Sequence, residues 1–207
     1  MSEAGGPTAL RKMLADHGAV LLRLAAESIS HGLAWGKPVL IDKAAFAADL
    51  ADDGACFVTL KHGGGLRGCV GSPRAHRPLI DDVAANAFAA AFADTRFPRL
   101  RPAERHGLSL SVTVLSPPEA LVFANEAALC GQLRPHVDGV IIEGDGRFAV
   151  FLPQVWEVLP APALFLEQLK AKAGLDVHTR SFELKAWRFV AECVSSEAIN
   201  CPEALWR

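Results

Sequence analysis

The chain has 207 residues, 51% of them hydrophobic, with 21 Lys and Arg against 23 Asp and Glu. That length can bury a sizeable core, as one domain or two closely packed halves, and the composition excludes a disordered or linker-dominated protein. A net charge of −2, with no Lys/Arg cluster, zinc-finger spacing or tyrosine platform, argues against a nucleic-acid face.

The opening segment MSEAGGPTALRKMLADHG lacks the charged-then-apolar order of a signal peptide. Apolar runs are broken by Arg23, Glu27 or Asp94 well short of a membrane span. The five cysteines, at 56, 69, 130, 193 and 201, are odd in number, widely spaced and without CxxC. They suit neither a disulfide framework nor a structural zinc site, and point to a cytoplasmic protein with most thiols buried as small apolar side chains. The seven histidines (17, 31, 62, 76, 106, 136 and 178) are scattered, so no metal site is expected.

In chain order, residues Thr8 to Gly32 read as an amphipathic helix, with Leu10, Met13, Leu14, Leu21, Leu24, Ala25 and Ile29 at three- and four-residue steps and Gly18 as an interruption. A short helix is expected over Lys43 to Asp52 with Asp42 as N-cap. ACFVTL and LRGCVG, separated by KHGGG, read as a hairpin. A helix from Pro78 to about Ala93 follows, with Asp81 and Asp82 in its first turn, where the helix dipole favours them. The strand LSLSVTVL comes next. The second half repeats the pattern: hairpin GVIIEG/RFAVFL around GDG, a proline-bracketed loop, the helix LFLEQLKAKAGL ended by Gly174, and the strand LKAWRFVAEC. The expectation is an α+β fold of two related hairpin–helix–strand units, an internal duplication, sharing a curved, mostly antiparallel sheet with flanking helices. Residues 8–53 would form the N-terminal helical segment, 54–116 the first unit and 138–194 the second.

The most chemically suggestive stretch is Leu66 to Ser72, LRGCVGS. In an alternating strand Arg67 and Cys69 share one face, with Leu66 and Val70 opposite. Gly65, Gly68 and Gly71 would leave that face uncrowded, and a cation beside a thiol favours thiolate. Cys69 and Arg67 are therefore candidate catalytic residues. Ser72 is either a hydroxyl partner for a ligand or a turn residue before Pro73. Asp94 and Arg96 are either an Asp–Arg cap at the helix exit or the border of a site. His62 and His76 flank the strand as possible bases. Gln154 and Trp156 line a second-half wall or, for Trp156, pack in the core. No GxSxG elbow, P-loop or dinucleotide fingerprint is present.

These residues carry a resemblance. LRGCVGS resembles the LRGCIGT-type signature of the AMMECR domain family, whose bacterial and archaeal members are called AmmeMemoRadiSam system protein A. FVTLK (57–61), DTRFPRL (94–100), SVTVLSPPE (111–119), GVIIEGDGRFAVFLPQVW (139–156) and LKAKAGL (169–175) resemble further family segments in the same order. The likeness runs roughly from Leu21 to Val194. It implies one AMMECR-type domain over 1–207, built of two similar subdomains with a groove between them. It also places Gly68, Gly71, Ser72, Asp94 and Arg96 as candidate binding residues beside Cys69 and Arg67. One departure is the absence of the family's tryptophan after KAGL, where this chain has DVHTRS with His178.

Two functions follow. The first is an enzyme component using Cys69 as nucleophile or redox thiol. The second is a non-catalytic binding or adaptor module that recognises a protein or small ligand through the glycine-bordered strand. The resemblance implies Memo-like and radical SAM pathway partners. A small-molecule ligand stays open, and the sequence names no cofactor.

Overall fold

The computed structural model describes residues 7–176, 184–198 and 205–206. The chain divides into two compact units, Met1–Leu115 with Glu192–Arg207, and Ser116–Ala191. Each carries a four-stranded sheet with helices, and the class is α+β with antiparallel sheets, as hairpins beside helices imply.

In the first unit, α1 spans Pro7–Trp35. It runs through Gly18 because that glycine lies against Val194, where a Cβ would sit 3.0 Å from Cγ2. At Gly32 the rings of Phe88 and Phe92 fill the space a Cβ would need. The helix expected over Lys43 to Asp52 is instead two single 3-10 turns, Lys43–Ala45 and Ala48–Leu50. Asp42 does cap the first, accepting from Ala44 N at 3.1 Å, but Phe46 then turns extended (φ −116°, ψ 159°) and stops propagation.

Strands β1 (Ala55–His62) and β2 (Gly65–Gly71) form the first hairpin. Gly63 (φ 56°) and Gly64 (φ 81°) supply the two positive φ values of a two-residue primed turn. Then come α2 (Leu79–Phe92) and β3 (Leu108–Leu115), and β8 (Ala191–Ser195) completes the sheet in the order β2-β1-β3-β8. Alternation and register split this sheet into two faces. Cys56, Val58, Leu60, Leu110, Val112 and Val114 are buried on the face covered by α1 and α2. Phe57, Thr59, Lys61, Ser109, Ser111 and Thr113 occupy the other, outer face.

The second unit contains β4 (Glu119–Leu121), α3 (Glu126–Cys130), β5 (Gly139–Gly144), β6 (Arg147–Phe151), α4 (Pro162–Ala173) and β7 (Lys185–Phe189), with sheet order β4-β7-β5-β6. Trp156 is wholly buried, stacked on Phe165 at 3.7 Å, and its Nε1 donates to Asp138 O. Its role is packing, while Gln154 is exposed.

The run Leu184 to Cys193, expected as one strand, is two strands in different sheets. Val190 separates them: its N donates to Ser116 Oγ, and Ser116 N donates to Val190 O. Read from the hairpin edge, both sheets run second hairpin strand, first hairpin strand, post-helix strand, outer strand. Cys201, His178 and the DVHTRS segment from residue 177 on lie outside the described residues. No helix among the described residues is long and apolar enough to cross a membrane.

Candidate functional site

The signature strand departs from strict alternation at Arg67. Leu60 pairs with Gly68 and Lys61 with Leu66, so Arg67 is the extra residue of a β-bulge. The bulge decides where Cys69 points. Counted without it from the His62–Gly65 turn, Cys69 would oppose Val58 on the core face; with it, Cys69 opposes Thr59 on the outer face.

Arg67 does not stand on an open face beside Cys69, which corrects the sequence expectation. It is 8% exposed and its guanidinium is committed to Glu104, with Nε donating to Oε1 at 2.7 Å and Nη2 to Oε2 at 3.2 Å. Glu104 also accepts from Arg101 N at 2.9 Å, closing the 3-10 turn Pro102–Arg105. The Arg67 hydrogen bonds hold the Glu104 carboxyl below the usual carboxylate range. Arg67 Nη1 is enclosed without a partner.

The cation next to Cys69 is Arg96. Cys69 N donates to Asp94 Oδ2 at 2.9 Å, and Arg96 Nη2 donates to Cys69 O at 3.0 Å. Asp94 and Arg96 are tied to each other by Nε to Oδ1 at 2.9 Å, Nη2 to Oδ2 at 2.7 Å and Arg96 N to Oδ1 at 3.2 Å. Arg96 stacks over Phe97, 5.5 Å from the ring centre. β2 is an edge strand, so residue 69 would otherwise present an unpaired N–H and C=O, and the Asp94–Arg96 clip satisfies both. The Asp94 side chain is 6% exposed. The Arg96 guanidinium, opposed by burial and reinforced by the N–H groups of Cys69 and Arg96, holds its carboxyl well below the usual range. The expected Asp–Arg cap is thus also the holder of the signature cysteine. On the outer face Cys69 Sγ lies 3.2 Å from Thr59 Oγ1, in side-chain hydrogen-bond contact.

The neighbouring signature residues play other parts. A Cβ on Gly68 would sit 2.1 Å from Ala90 O of α2, and one on Gly71 2.3 Å from the Phe57 ring. Both glycines therefore admit close packing and do not open a surface, which corrects that reading. Ser72 is 8% exposed and donates from Oγ to Asp82 Oδ1 at 2.7 Å, so it is a buried structural hydroxyl and not a ligand contact. Asp82, wholly buried at the start of α2, also accepts from Cys56 N, Arg77 Nε and Asn86 Nδ2. Burial first, and the Asp82 charge second, push the Cys56 thiol well up. Cys130 is also raised, chiefly by burial.

Neither flanking histidine hydrogen-bonds to Cys69. His62 Nε2 bonds His106 O at 3.1 Å, and His76 Nδ1 bonds Arg74 O at 3.2 Å. Among the described residues no group of three or more His, Cys, Asp or Glu is placed to hold a metal ion. Sequence reasoning missed Thr59, Glu104 and the Asp82–Asn86 network. Thr59 had a signal, the alternation of FVTLK, but its partner depends on the bulge.

A family model described as AMMECR1 matches residues 22–194. The chain belongs to the AMMECR1 family. A curated protein of Methanothermobacter thermautotrophicus is 34% identical over 189 residues, covering 84% of this chain and 94% of that one. Protein MK0488 of Methanopyrus kandleri is also 34% identical, over 79% of this chain and 80% of its own. Among solved structures, that of the uncharacterised protein PH0010 from Pyrococcus horikoshii is similar, with TM-score 0.80 and 30% identity over 87% of this chain and 91% of that one. Within the AMMECR1 family match lie all seven candidate residues, from Arg67 to Arg96.

Proposed function

We propose that this AMMECR1-family protein is an enzyme component, resembling the A component of the AmmeMemoRadiSam system, in which Cys69 is the working thiol. One observation carries the reading. Cys69 is held at both its N–H and its C=O by the side chains of one distant segment, while its sulfur is turned off the core face toward a hydroxyl. A cysteine wanted only as a small apolar filler would sit as Cys56 does, on the core face with its thiol pushed up. The Thr59 hydroxyl stands in hydrogen-bond contact with the sulfur, and the Arg96 guanidinium fixes the same residue through its carbonyl oxygen, so the thiol is held in one place beside a polar group. With no histidine hydrogen-bonded to Cys69 among the described residues, the chemistry that fits is attack by the thiolate itself, as nucleophile or redox thiol, and not a Cys–His protease mechanism. The family resemblance adds Memo-like and radical SAM proteins as its partners.

The test is alkylation of the native protein with peptide mapping. Labelling of Cys69 faster than Cys130 and Cys56, slowed by Thr59→Val, is the expected result. A Cys69 as inert as Cys56 removes this reading and leaves the adaptor alternative. For the partners, binding between the purified proteins is expected, and consistent failure to associate would remove that part.

A further inference from the structure

The outer face of the first sheet contains more than Cys69. Register aligns three rungs across β2, β1 and β3: Gly71–Phe57–Thr113, then Cys69–Thr59–Ser111, then Lys61–Ser109 beside the bulge. Strands about 4.8 Å apart make the middle rung, a thiol and two hydroxyls, roughly 10 Å wide, and the next rung lies about 7 Å along the strands. This is the footprint of a small molecule.

Thr113 is the telling member. It is 5% exposed, yet its hydroxyl makes no hydrogen bond, and neither does that of Ser111. An unpartnered hydroxyl on a residue this buried is left to take a water or a ligand. The enclosed side-chain polar atom without a partner among the described residues is Arg67 Nη1, so the Thr113 hydroxyl still reaches open space.

Charge is one-sided here. Lys61 is exposed and makes no ion pair, and Arg96 uses Nε and Nη2 for Asp94 and Cys69, leaving Nη1 free. No acidic residue occupies these rungs on β2, β1 or β3. Asp94, the nearby carboxylate, is consumed by Arg96 and the Cys69 N–H.

We propose that this face is a binding site for the oxyanion of a small molecule, carboxylate or phosphate, set beside Cys69 by the hydroxyls of Thr59, Ser111 and Thr113 and drawn by Lys61 and Arg96. The proposal rests on the reading of Cys69 as a working thiol and names the substrate class that thiol meets. Hydroxyl donors recognise oxyanion oxygens by direction, and the two cations supply the attraction.

The experiment compares two reagents that differ in charge. The Cys69 sulfur displaces iodide from the methylene carbon of iodoacetate or iodoacetamide and forms a thioether, iodide and the thiol proton going to solvent. The ratio of their rates at Cys69 in the native protein is set against the ratio for the same cysteine in the unfolded protein. A native ratio several-fold higher in favour of iodoacetate is expected, falling about threefold in Lys61→Gln, a change with no structural partner to lose, and again in Ser111→Ala. High salt should lower the preference for the same reason. Protection of Cys69 by inorganic phosphate and by acetate, compared at equal ionic strength, separates the two oxyanion sources.

An equal ratio in native and unfolded protein, or a preference untouched by salt and by Lys61→Gln, overturns the oxyanion site while leaving Cys69 reactive. A Cys69 inert to both reagents overturns the thiol reading beneath it.

Discussion

Replacing Asp94 tests whether the clip holds the signature strand. The side chain is 6% exposed and accepts from Cys69 N, Arg96 N and two guanidinium nitrogens. A hydrogen bond to a charged acceptor contributes about 1.5–3 kcal/mol when buried. The Arg96 side chain is 56% exposed, so its ion pair is discounted to about 0–1 kcal/mol for solvent screening. With the partly exposed Arg96 N–H counted low, Asp94→Ala should cost about 3 kcal/mol, and Asp94→Asn, which keeps one acceptor oxygen, about half as much. At roughly 2–4 °C per kcal/mol for a chain of this size, Asp94→Ala lowers Tm by about 6–12 °C. Arg96→Ala, which spares the Asp94–Cys69 bond, lowers it by only about 2–4 °C.

Hydrogen exchange gives a sharper reading. The Cys69 amide should be protected despite its edge position, lose protection in Asp94→Ala, and keep much of it in Arg96→Ala. The pH dependence has a definite sign. A carboxyl lowered in the folded state gives stability that is fully present above its unfolded pKa of about 3.9 and is lost as pH falls through the lower folded value. The gap between wild type and Asp94→Ala should therefore hold from neutral pH to about 5 and close in acid. Equal Tm values, or a gap unchanged by strong acid, would refute the clip.

Other outcomes follow from neighbouring contacts. Gly68→Ala drives a Cβ to 2.1 Å from the Ala90 carbonyl, a backbone atom that cannot swing aside, so thermal melting should show a loss of about 3 kcal/mol or more. Glu104→Gln strips the charge partner from a largely buried guanidinium and should cost about 2–4 kcal/mol by denaturant titration, with Arg67→Met/Glu104→Gln recovering part of it. Cys56, whose thiol is pushed up by burial and Asp82, should label only after unfolding, as read by mass-mapped alkylation.

The elements with strong local signals were legible in the sequence. KHGGG dictated the hairpin turn through its two positive-φ glycines, and Asp81 and Asp82 marked the start of α2. The failures have physical causes. Apolar spacing over Lys43 to Asp52 could not sustain a helix once Phe46 went extended. LKAWRFVAEC alternates through Val190 with no sign that Ser116 would take both its backbone groups. At the site, Cys69 and its Asp94–Arg96 neighbours were visible as motifs, but their mutual bonds span 25 residues and only tertiary structure shows them. Arg67 was placed wrongly because a bulge leaves no mark in a two-residue period. Its partner, Glu104, lies 37 residues away.

The bulge at Arg67 also makes strand pairing a determinant of what the site is. Between the turn and Cys69 the two strands differ by one residue, and that surplus is Arg67 itself. Deleting it would leave a regular ladder with Cys69 still opposite Thr59, and would remove only the guanidinium that Glu104 holds. Drawing Arg67 into the ladder is the change that would exchange inside for outside, because Cys69 would then oppose Val58 and its core neighbours. Point substitutions here change what the strand carries, while the choice between a bulged and a paired residue 67 changes which way everything beyond it faces. The same letters of the signature could thus present two different surfaces, and the bulge selects between them.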